Sequence, residues 1–284
     1  MDMRLDGKTA LVTGGSAGIG KGIAKAFADA GAQVMITSRK AEKCEAAVAE
    51  IGGDTDFIAS HIGQLEEAER VIDGTIERFG AVDILVNNAA TNPWAGPMID
   101  CDVPRLDKTY EVNLRAPLQW TQTAWQKWMQ ENGGSVINIA SIGGHTTSEA
   151  LGVYCMFKDA LMHMTRQLAA ELGPKVRVNC IAPGLIRTDF AKVLWDGPRG
   201  KMISDMLPLQ RLGEPEDIGE AALYLSAGAS WMTGNTLNLD GGELIRIAGE
   251  LPLEESGAGP IAGLPFPYLD LCPLGIARQE RSFR

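Results

Sequence analysis

Seven short, mostly apolar runs recur along the chain, and a segment with helical spacing of apolar residues separates each run from the next. The runs that predict strands are Lys8–Thr13, Gln33–Thr37, Asp56–Ser60, Val82–Asn87, Ser135–Ala140, Val176–Ala182 and Thr236–Asp240. The segments that predict helices are Gly20–Ala30, Ala41–Ile51, Glu66–Phe79, Leu106–Gln130, Val153–Leu172 and Pro215–Ala227. Buried strands that alternate with amphipathic helices form βαβ units with parallel strands. We therefore expect an α/β fold with one doubly wound, parallel, seven-stranded sheet and helices on both of its faces.

The same pattern predicts one domain over residues 1–246, followed by a C-terminal extension over residues 247–284. Five of the 14 prolines of the chain fall within Leu251–Arg284, together with four glycines, and this composition excludes a helix. The extension also carries apolar side chains that favour packing over a solvated tail: Ile261, Leu264, Phe266, Tyr268, Leu269 and Leu271. We predict an irregular tail that lies in extended form along its own subunit or a neighbouring one.

Composition excludes several classes of function. The formal net charge is 26 minus 36, or −10, which argues against a nucleic-acid partner. No run of about 18 apolar residues is present and Met1–Asp6 lacks the apolar core of a signal peptide, so we expect no membrane partner. Five cysteines without a C-x-x-C pair and three scattered histidines predict no metal site and a reducing, cytoplasmic location.

A glycine cluster follows the first predicted strand and opens the first predicted helix. It reads Thr13-Gly14-Gly15-Ser16-Ala17-Gly18-Ile19-Gly20. A backbone without Cβ atoms can approach a pyrophosphate closely, and the helix N-terminus offers N–H groups and partial positive charge. This context favours nucleotide binding, although glycine-rich turns also occur for packing alone.

Three residues near the fifth strand form a candidate acid–base group. Tyr154 and Lys158 are four residues apart and so share one face of a helix. An ammonium beside a phenol favours the phenolate, so we expect Lys158 to lower the pKa of Tyr154 from about 10. Ser141 follows the strand at its carboxyl end, where open α/β sheets bind their ligands. The alternative is a surface Tyr–Lys pair and an unrelated turn serine.

Together these motifs resemble the short-chain dehydrogenase/reductase family over Leu5–Gly242. The other matching segments are Asn87–Ala90, Glu111–Leu114, Pro183–Thr188 and Leu239–Gly242. The resemblance implies a Rossmann-type fold and an NAD(P)-dependent enzyme that transfers hydride between its cofactor and a carbonyl or alcohol group. It also implies four catalytic residues: Asn113, Ser141, Tyr154 and Lys158. In this scheme Tyr154 exchanges a proton with the substrate oxygen, Ser141 hydrogen-bonds that oxygen, and Asn113 holds a water linked to Lys158.

The resemblance also assigns the cofactor contacts. They are Gly14, Ser16, Ala17, Gly18, Ile19, Gly20, Ser38, Arg39, His61, Ile62, Asn88, Ala89, Tyr154, Lys158, Pro183, Gly184, Ile186 and Thr188. An NAD enzyme needs a carboxylate at the end of the second strand, whereas this chain has Ser38 and Arg39, which can pair with a 2′-phosphate. We therefore expect NADP(H) to be preferred. NAD(H) is the alternative, because Ala17 stands where many NADP-binding relatives carry a second basic residue. His61 replaces the usual aspartate near the adenine, and Ala90 replaces a glycine.

Several segments resemble the NADP-dependent carbonyl (retinal) reductase branch of the family, among them Ser60–Gly63 and Ala182–Trp195. We expect a small and apolar carbonyl or alcohol substrate, with contacts from the loops outside the motifs: Trp94, His145, Leu194 and Trp195. The family resemblance further implies a homotetramer or homodimer paired through the helices Leu106–Gln130 and Val153–Leu172. Two alternatives stay open: an NAD-dependent alcohol dehydrogenase of the same family and a catalytically silent nucleotide-binding regulator. An enoyl reductase is disfavoured because that branch spaces its tyrosine and lysine more widely.

Overall fold

Seven parallel strands form the centre of the computed structural model, which describes residues 3–245. The strands are β1 (Thr9–Thr13), β2 (Gln33–Thr37), β3 (Thr55–Phe57), β4 (Ile84–Asn87), β5 (Gly134–Ile139), β6 (Val176–Pro183) and β7 (Thr236–Leu239). Their order in the sheet is β3-β2-β1-β4-β5-β6-β7, and every neighbouring pair is parallel. The strand order therefore changes direction between β1 and β4, the point at which open α/β sheets bind ligands.

Helices connect these strands. They are α1 (Gly18–Asp29), α2 (Ala41–Ile51), α3 (Leu65–Phe79), α4 (Val103–Tyr110), α5 (Ala116–Ala124), α6 (Gln130–Asn132), α7 (Gly152–Leu172), α8 (Lys192–Trp195), α9 (Pro198–Met206) and α10 (Pro215–Leu223). Two π-helical turns, Glu111–Arg115 and Trp125–Met129, join α4, α5 and α6 into one long helical stretch.

The central strand β1 shows why both faces of the sheet are covered. Its side chains point alternately to opposite faces because the strand period is two residues. Ala10 and Val12 belong to a buried cluster that includes Phe27 of α1. Leu11, between them, belongs to a second cluster that includes Trp120 of α5. The expected doubly wound sheet with helices on both faces is confirmed.

Element boundaries differ from the sequence-based expectations where local signals are weak. Helix α1 begins at Gly18 instead of Gly20, because glycines carry no side chain with which to mark a helical face. Strand β3 ends at Phe57, although the N–H of Ser60 still donates to Ser38 O at 3.0 Å. The predicted helix Leu106–Gln130 is longer than expected and is interrupted by the two π-helical turns.

The last described turn is a 3₁₀ helix over Glu243–Ile245. The predicted tail 247–284 lies outside the described residues, and the division at residue 246 stays a prediction. Within residues 3–245 no helix is both long and apolar enough to cross a membrane. The same part of the chain holds no group of three or more potential metal-binding side chains.

Candidate active site

The glycine cluster forms a tight turn between β1 and α1 at the point where the strand order reverses. Gly14 and Gly18 have φ angles of +69° and +50°, which favour glycine. A Cβ atom on Gly20 would lie 2.4 Å from both Asn88 Nδ2 and Gly14 O. No side chain fits at that distance, so the turn depends on its glycines for close packing as well as for conformation.

The N-terminus of α1 fits the pyrophosphate of a dinucleotide. Its N-cap residue is Ala17, which has no side-chain oxygen to bond the first N–H groups, and its first turn carries no acidic residue. The first N–H groups of any helix lack partners within the helix, and the helix dipole favours an anion there. The predicted contacts from Gly14 to Gly20 therefore surround a place suited to phosphate.

Hydrogen bonds from Asn88 and Ala89 tie the end of β4 to the start of the glycine turn. Asn88 Nδ2 donates to Thr13 O at 2.8 Å, and the hydroxyl of Thr13 accepts from the backbone N–H groups of Asn88 and Ala89 at 2.9 and 3.2 Å. The structure thus brings the predicted contacts Asn88 and Ala89 next to Gly14. The Thr13 hydroxyl was missed by sequence reasoning, because its partners are 75 residues away along the chain.

The residues expected to select the cofactor lie at the ends of β2 and β3. Arg39 is exposed, and within residues 3–245 its guanidinium has no hydrogen-bonding or ionic partner. Ser38 O accepts from the Ser60 N–H, which holds the His61–Ile62 loop beside it. This arrangement leaves the Arg39 side chain able to pair with a bound phosphate.

His61 makes contacts that the sequence did not indicate. Its Nδ1 accepts from the Gly63 N–H at 3.3 Å, and its Nε2 lies 3.4 Å from Lys108 Nζ of α4. Lys108 in turn forms an ion pair with Glu111 at 2.6 Å. The carbonyl of Ile62 accepts from Trp120 Nε1 at 3.2 Å. The loop expected to contact the adenine is therefore held in place by the long helical stretch.

Ser141, Tyr154 and Lys158 converge at the carboxyl end of β5. Ser141 follows that strand, and its Oγ accepts from the Gly143 N–H at 3.1 Å. Tyr154 and Lys158 lie in the first two turns of α7, and Lys158 Nζ is 5.5 Å from the centroid of the Tyr154 ring. Lys158 is almost fully buried and donates to Ile139 O at 2.6 Å.

The pKa values at this site correct one expectation. Burial raises the pKa of Tyr154 above its usual value near 10, and the Ser141 hydroxyl offsets part of that increase. Burial lowers the pKa of Lys158 to about 8. We expected Lys158 to lower the tyrosine pKa, but its Nζ is directed at Ile139 O and the loss of water around the phenol has the larger effect. Tyr154 therefore holds its proton at neutral pH.

Asn113 lies in the π-helical turn between α4 and α5 and is almost fully buried. Its Oδ1 accepts from the Thr91 N–H and its Nδ2 donates to Thr91 O, both at 2.8 Å. The side chain thus fixes the loop that follows Asn88 and Ala89. The expected role of Asn113 in holding a water stays a prediction.

The segment after β6 brings the remaining predicted cofactor contacts to the same edge. Gly184 approaches β7 so closely that a Cβ atom would lie 2.8 Å from Asp240 Cα. Thr188 contacts the glycine turn, since its methyl group is 3.0 Å from the position of a Cβ on Gly18. Gly184 and Ile186 border a cavity of about 310 Å³ at this edge of the sheet.

The four expected substrate contacts have different surroundings. Trp195 Nε1 donates to Thr188 O at 2.8 Å, and Leu194 precedes it in α8. His145 Nε2 lies 3.0 Å from Asn238 Oδ1 of β7. Trp94 donates from Nε1 to Pro97 O at 3.1 Å, and the Arg105 guanidinium of α4 lies over its ring. Trp195 is thus hydrogen-bonded to Thr188, one of the predicted cofactor contacts. The ring nitrogen of His145 is directed towards β7, and that of Trp94 towards Pro97.

One aromatic residue near Tyr154 was missed. The ring of Phe190 is 6.4 Å from the Tyr154 ring, and the Phe190 side chain is exposed. It lies in a 3₁₀ turn whose N-cap, Thr188, accepts from the Ala191 N–H. No motif marks this position, so only the folded chain brings Phe190 to the site.

The chain is similar to several known proteins over most of its length. A family model described as enoyl-(acyl carrier protein) reductase matches residues 14–243. Dehydrogenase/reductase SDR family member 4 from Sus scrofa is 39% identical over 249 residues, which cover 86% of this chain and 89% of the relative. The human protein of the same name is 38% identical, with 86% and 90% covered. The chain belongs to the short-chain dehydrogenase/reductase family. It is therefore an oxidoreductase that uses NAD(P)(H) on CH–OH or C=O groups.

Solved structures of the family superpose well on this one. A short-chain type dehydrogenase/reductase from Mycobacterium ulcerans is 34% identical, with a TM-score of 0.81 and coverage of 86% of this chain and 92% of that one. A 7α-hydroxysteroid dehydrogenase complexed with NADH and 7-oxo glycochenodeoxycholic acid is 36% identical, with a TM-score of 0.80 and coverage of 85% and 96%. The resemblance inferred from the motifs is confirmed.

Proposed function

We propose that the protein is an NADP(H)-preferring carbonyl reductase or alcohol dehydrogenase with Tyr154 as general acid and base. The observation that carries this proposal is the convergence of Ser141, Tyr154 and Lys158 after β5, at the same edge of the sheet as the glycine turn after β1. The four-residue spacing of Tyr154 and Lys158 favours chemistry at a carbonyl group over reduction of an enoyl double bond. The name of the matched family model therefore does not set the reaction of this chain.

Each polar group at the site has a proposed task. A bound nicotinamide cofactor would supply the hydride that reduces a carbonyl carbon, or would accept it from an alcohol carbon. Tyr154, protonated at neutral pH, donates its proton to the substrate oxygen in the reductive direction. Ser141 hydrogen-bonds that oxygen as negative charge develops. Lys158 binds the ribose of the cofactor and, while protonated, stabilises the phenolate that Tyr154 leaves. Asn113 holds a water through which Lys158 exchanges protons with solvent.

The preference for NADP(H) rests on the end of β2. Arg39 is exposed and has no partner within the described residues, and Ser38 adds a hydroxyl donor beside it. The segment Thr37–Lys40 contains no carboxylate to bind the ribose hydroxyls of NAD(H). NAD(H) is the alternative, supported by Ala17 and by the NADH bound to the hydroxysteroid dehydrogenase. Fluorescence titration with NADPH and NADH decides between them, and tighter binding of NADH would reject the preference.

The substrate is proposed to be apolar. Phe190 presents an exposed aromatic ring near Tyr154, and Leu194 and Trp195 follow it in α8. The similar hydroxysteroid dehydrogenase binds a steroid with a keto group, which is consistent with an apolar site. A panel of ketones, aldehydes and alcohols, assayed with both cofactors, identifies the substrate class. Cofactor binding without turnover of any of them would favour a silent nucleotide-binding regulator.

Replacing Tyr154 by phenylalanine tests the chemistry directly. The ring is kept but its exchangeable proton is lost, so we expect kcat to fall about 10²- to 10⁴-fold. The cofactor should still bind with an affinity within about twofold of the wild type, because phenylalanine keeps the ring and the other assigned cofactor contacts are unchanged. Tyr224→Phe is the matched control, since Tyr224 is an exposed tyrosine that follows α10 and has no role in the proposed site or interface. Turnover of the Tyr154 variant within about threefold of the wild type would contradict the assignment.

The working unit is proposed to be a cytoplasmic homotetramer, with a homodimer as the alternative. Several apolar side chains on and beside α4 and α7 are exposed on the single chain: Met98, Ile99, Val103, Tyr110 and Met156. An exposed apolar surface of this kind favours contact with another subunit. Light scattering of the full chain gives the mass, and a monomer would reject this part of the proposal. Fractionation of the cells in which the protein is made tests its location.

A further inference from the structure

The turn that follows Ser141 lies directly on the helix that carries Tyr154 and Lys158. A Cβ atom on Gly144 would be 2.8 Å from Asp159 N and 3.0 Å from Lys158 C. A Cβ atom on Gly143 would be 3.0 Å from Cys155 Sγ. These distances are shorter than ordinary carbon contacts, so the two glycines let the turn approach α7 at residues next to both Tyr154 and Lys158.

The backbone of Gly143 also affects the orientation of the Ser141 hydroxyl. Its N–H donates to Ser141 Oγ at 3.1 Å, so that oxygen already accepts one hydrogen bond. A hydroxyl has one donor and two acceptor positions, and its own proton stays available for another oxygen. The position of Gly143 therefore decides where the Ser141 proton can point.

Cys155 is the side chain of α7 against which Gly143 rests, and Met162 is the one nearest to Gly144. Cys155 lies in the first turn of α7, its N–H donates to Leu151 O at 2.8 Å, and its side chain is buried. Burial raises the pKa of its thiol to about 11, so the group is neutral near pH 7. A neutral, buried sulfur acts through its size and its contacts rather than through charge.

We propose that Cys155 and Gly143 are positioning residues for Ser141. The sulfur of Cys155 supports the Gly143 turn, and this contact sets the place of Ser141 Oγ relative to the Tyr154 hydroxyl. The inference rests on the proposed function, in which both oxygens bind the same substrate atom. It explains why the residue after the proposed general acid is a buried thiol: a larger side chain would push the turn away and a smaller one would leave it unsupported.

A double-mutant cycle tests the contact. Gly143 has no positive φ, so alanine is conformationally acceptable there and its effect is steric. In Gly143→Ala the new methyl group would lie 3.0 Å from Cys155 Sγ, which is too close, and 3.4 Å from Ser141 Oγ, which is an ordinary contact. We expect kcat to fall about tenfold or more, because small displacements of reacting groups reduce rates strongly. Cys155→Ala alone should lower kcat about threefold. The double variant should turn over as fast as Cys155→Ala, because the space left by the sulfur accepts the methyl group.

Two further measurements separate positioning from loss of structure. Cofactor affinity should change less than about twofold in all three variants, so that the effect appears in kcat. The melting temperature should fall by about 5 °C in Gly143→Ala and partly recover in the double variant. Gly173→Ala is the matched control: its Cβ would also make one tight contact, 3.3 Å from Ala169 O. It should keep wild-type kcat, because Gly173 follows the last turn of α7 whereas Tyr154 lies in the first.

The possible results are distinguishable. A double variant as slow as Gly143→Ala, or a Gly143→Ala variant with wild-type kcat, would overturn the positioning role while the proposed function stands. A wild-type enzyme that turns over no carbonyl or alcohol would overturn the proposed function and this role with it. The melting temperatures would still report whether Gly143 and Cys155 are in contact.

Discussion

Replacing Lys158 by methionine should change how the free energy of unfolding depends on pH. Lys158 is almost fully buried, and burial lowers its pKa from 10.5 to about 8. In the unfolded chain the same lysine titrates near its ordinary value. Below pH 8 the lysine is charged in both states, so the folded state carries the full unfavourable effect of burying an ammonium group.

The magnitude follows from the two pKa values. Between pH 8 and 10.5 the folded state loses its proton while the unfolded state keeps it, so the free energy of unfolding rises with pH. At about 1.4 kcal/mol per pH unit, burial of the charged lysine lowers the free energy of unfolding by about 3 kcal/mol at pH 7. At pH 10 it lowers it by less than about 1 kcal/mol. Methionine does not titrate, so its burial adds no dependence of stability on pH. The stability of Lys158→Met relative to the wild type should therefore decrease by about 2 to 3 kcal/mol from pH 7 to pH 10.

Urea unfolding at a fixed protein concentration, repeated from pH 7 to pH 10, measures this difference. The hydrogen bond from Nζ to Ile139 O is also lost in the variant, but this adds a nearly constant offset and does not change the slope. Lys175→Met is the matched control, because Lys175 is an exposed lysine that also donates to a carbonyl, Gln130 O. Its profile should run parallel to that of the wild type. A parallel profile for Lys158→Met would refute the reasoning from burial.

Three further predictions address the cofactor and the tail. Arg39→Ala should raise the Kd for NADPH about 10- to 100-fold and change the Kd for NADH less than about threefold; an equal loss for both would reject the phosphate contact. Gly20→Ala should weaken both cofactors at least about tenfold in fluorescence titrations, because its Cβ would lie 2.4 Å from Gly14 O, and unchanged affinity would contradict the close packing of the turn. Deleting the chain from Glu250 onward should raise KM or reduce the mass found by light scattering, and no change in either would reject a role for the tail.

The sequence alone determined the succession of strands and helices along the chain and identified the motif residues. Apolar alternation, helical periodicity and glycine turns are local signals, so β1, α1 and the turn between them could be read without coordinates. The same is true of Tyr154 and Lys158, whose four-residue spacing places them on one face of any helix. Helix boundaries were less certain, because the glycines at the start of α1 carry no side-chain signal.

Only the tertiary structure decided the contacts between residues distant along the chain. The pairing of His61 with Lys108 and the approach of Phe190 to Tyr154 join segments that no local pattern relates. The contact between Gly143 and Cys155 is of the same kind. Burial also reversed an expectation, since the spacing suggested that Lys158 lowers the pKa of Tyr154, whereas partial loss of water around the phenol raises it. Desolvation depends on everything that packs around a group, and therefore only the folded chain determines it.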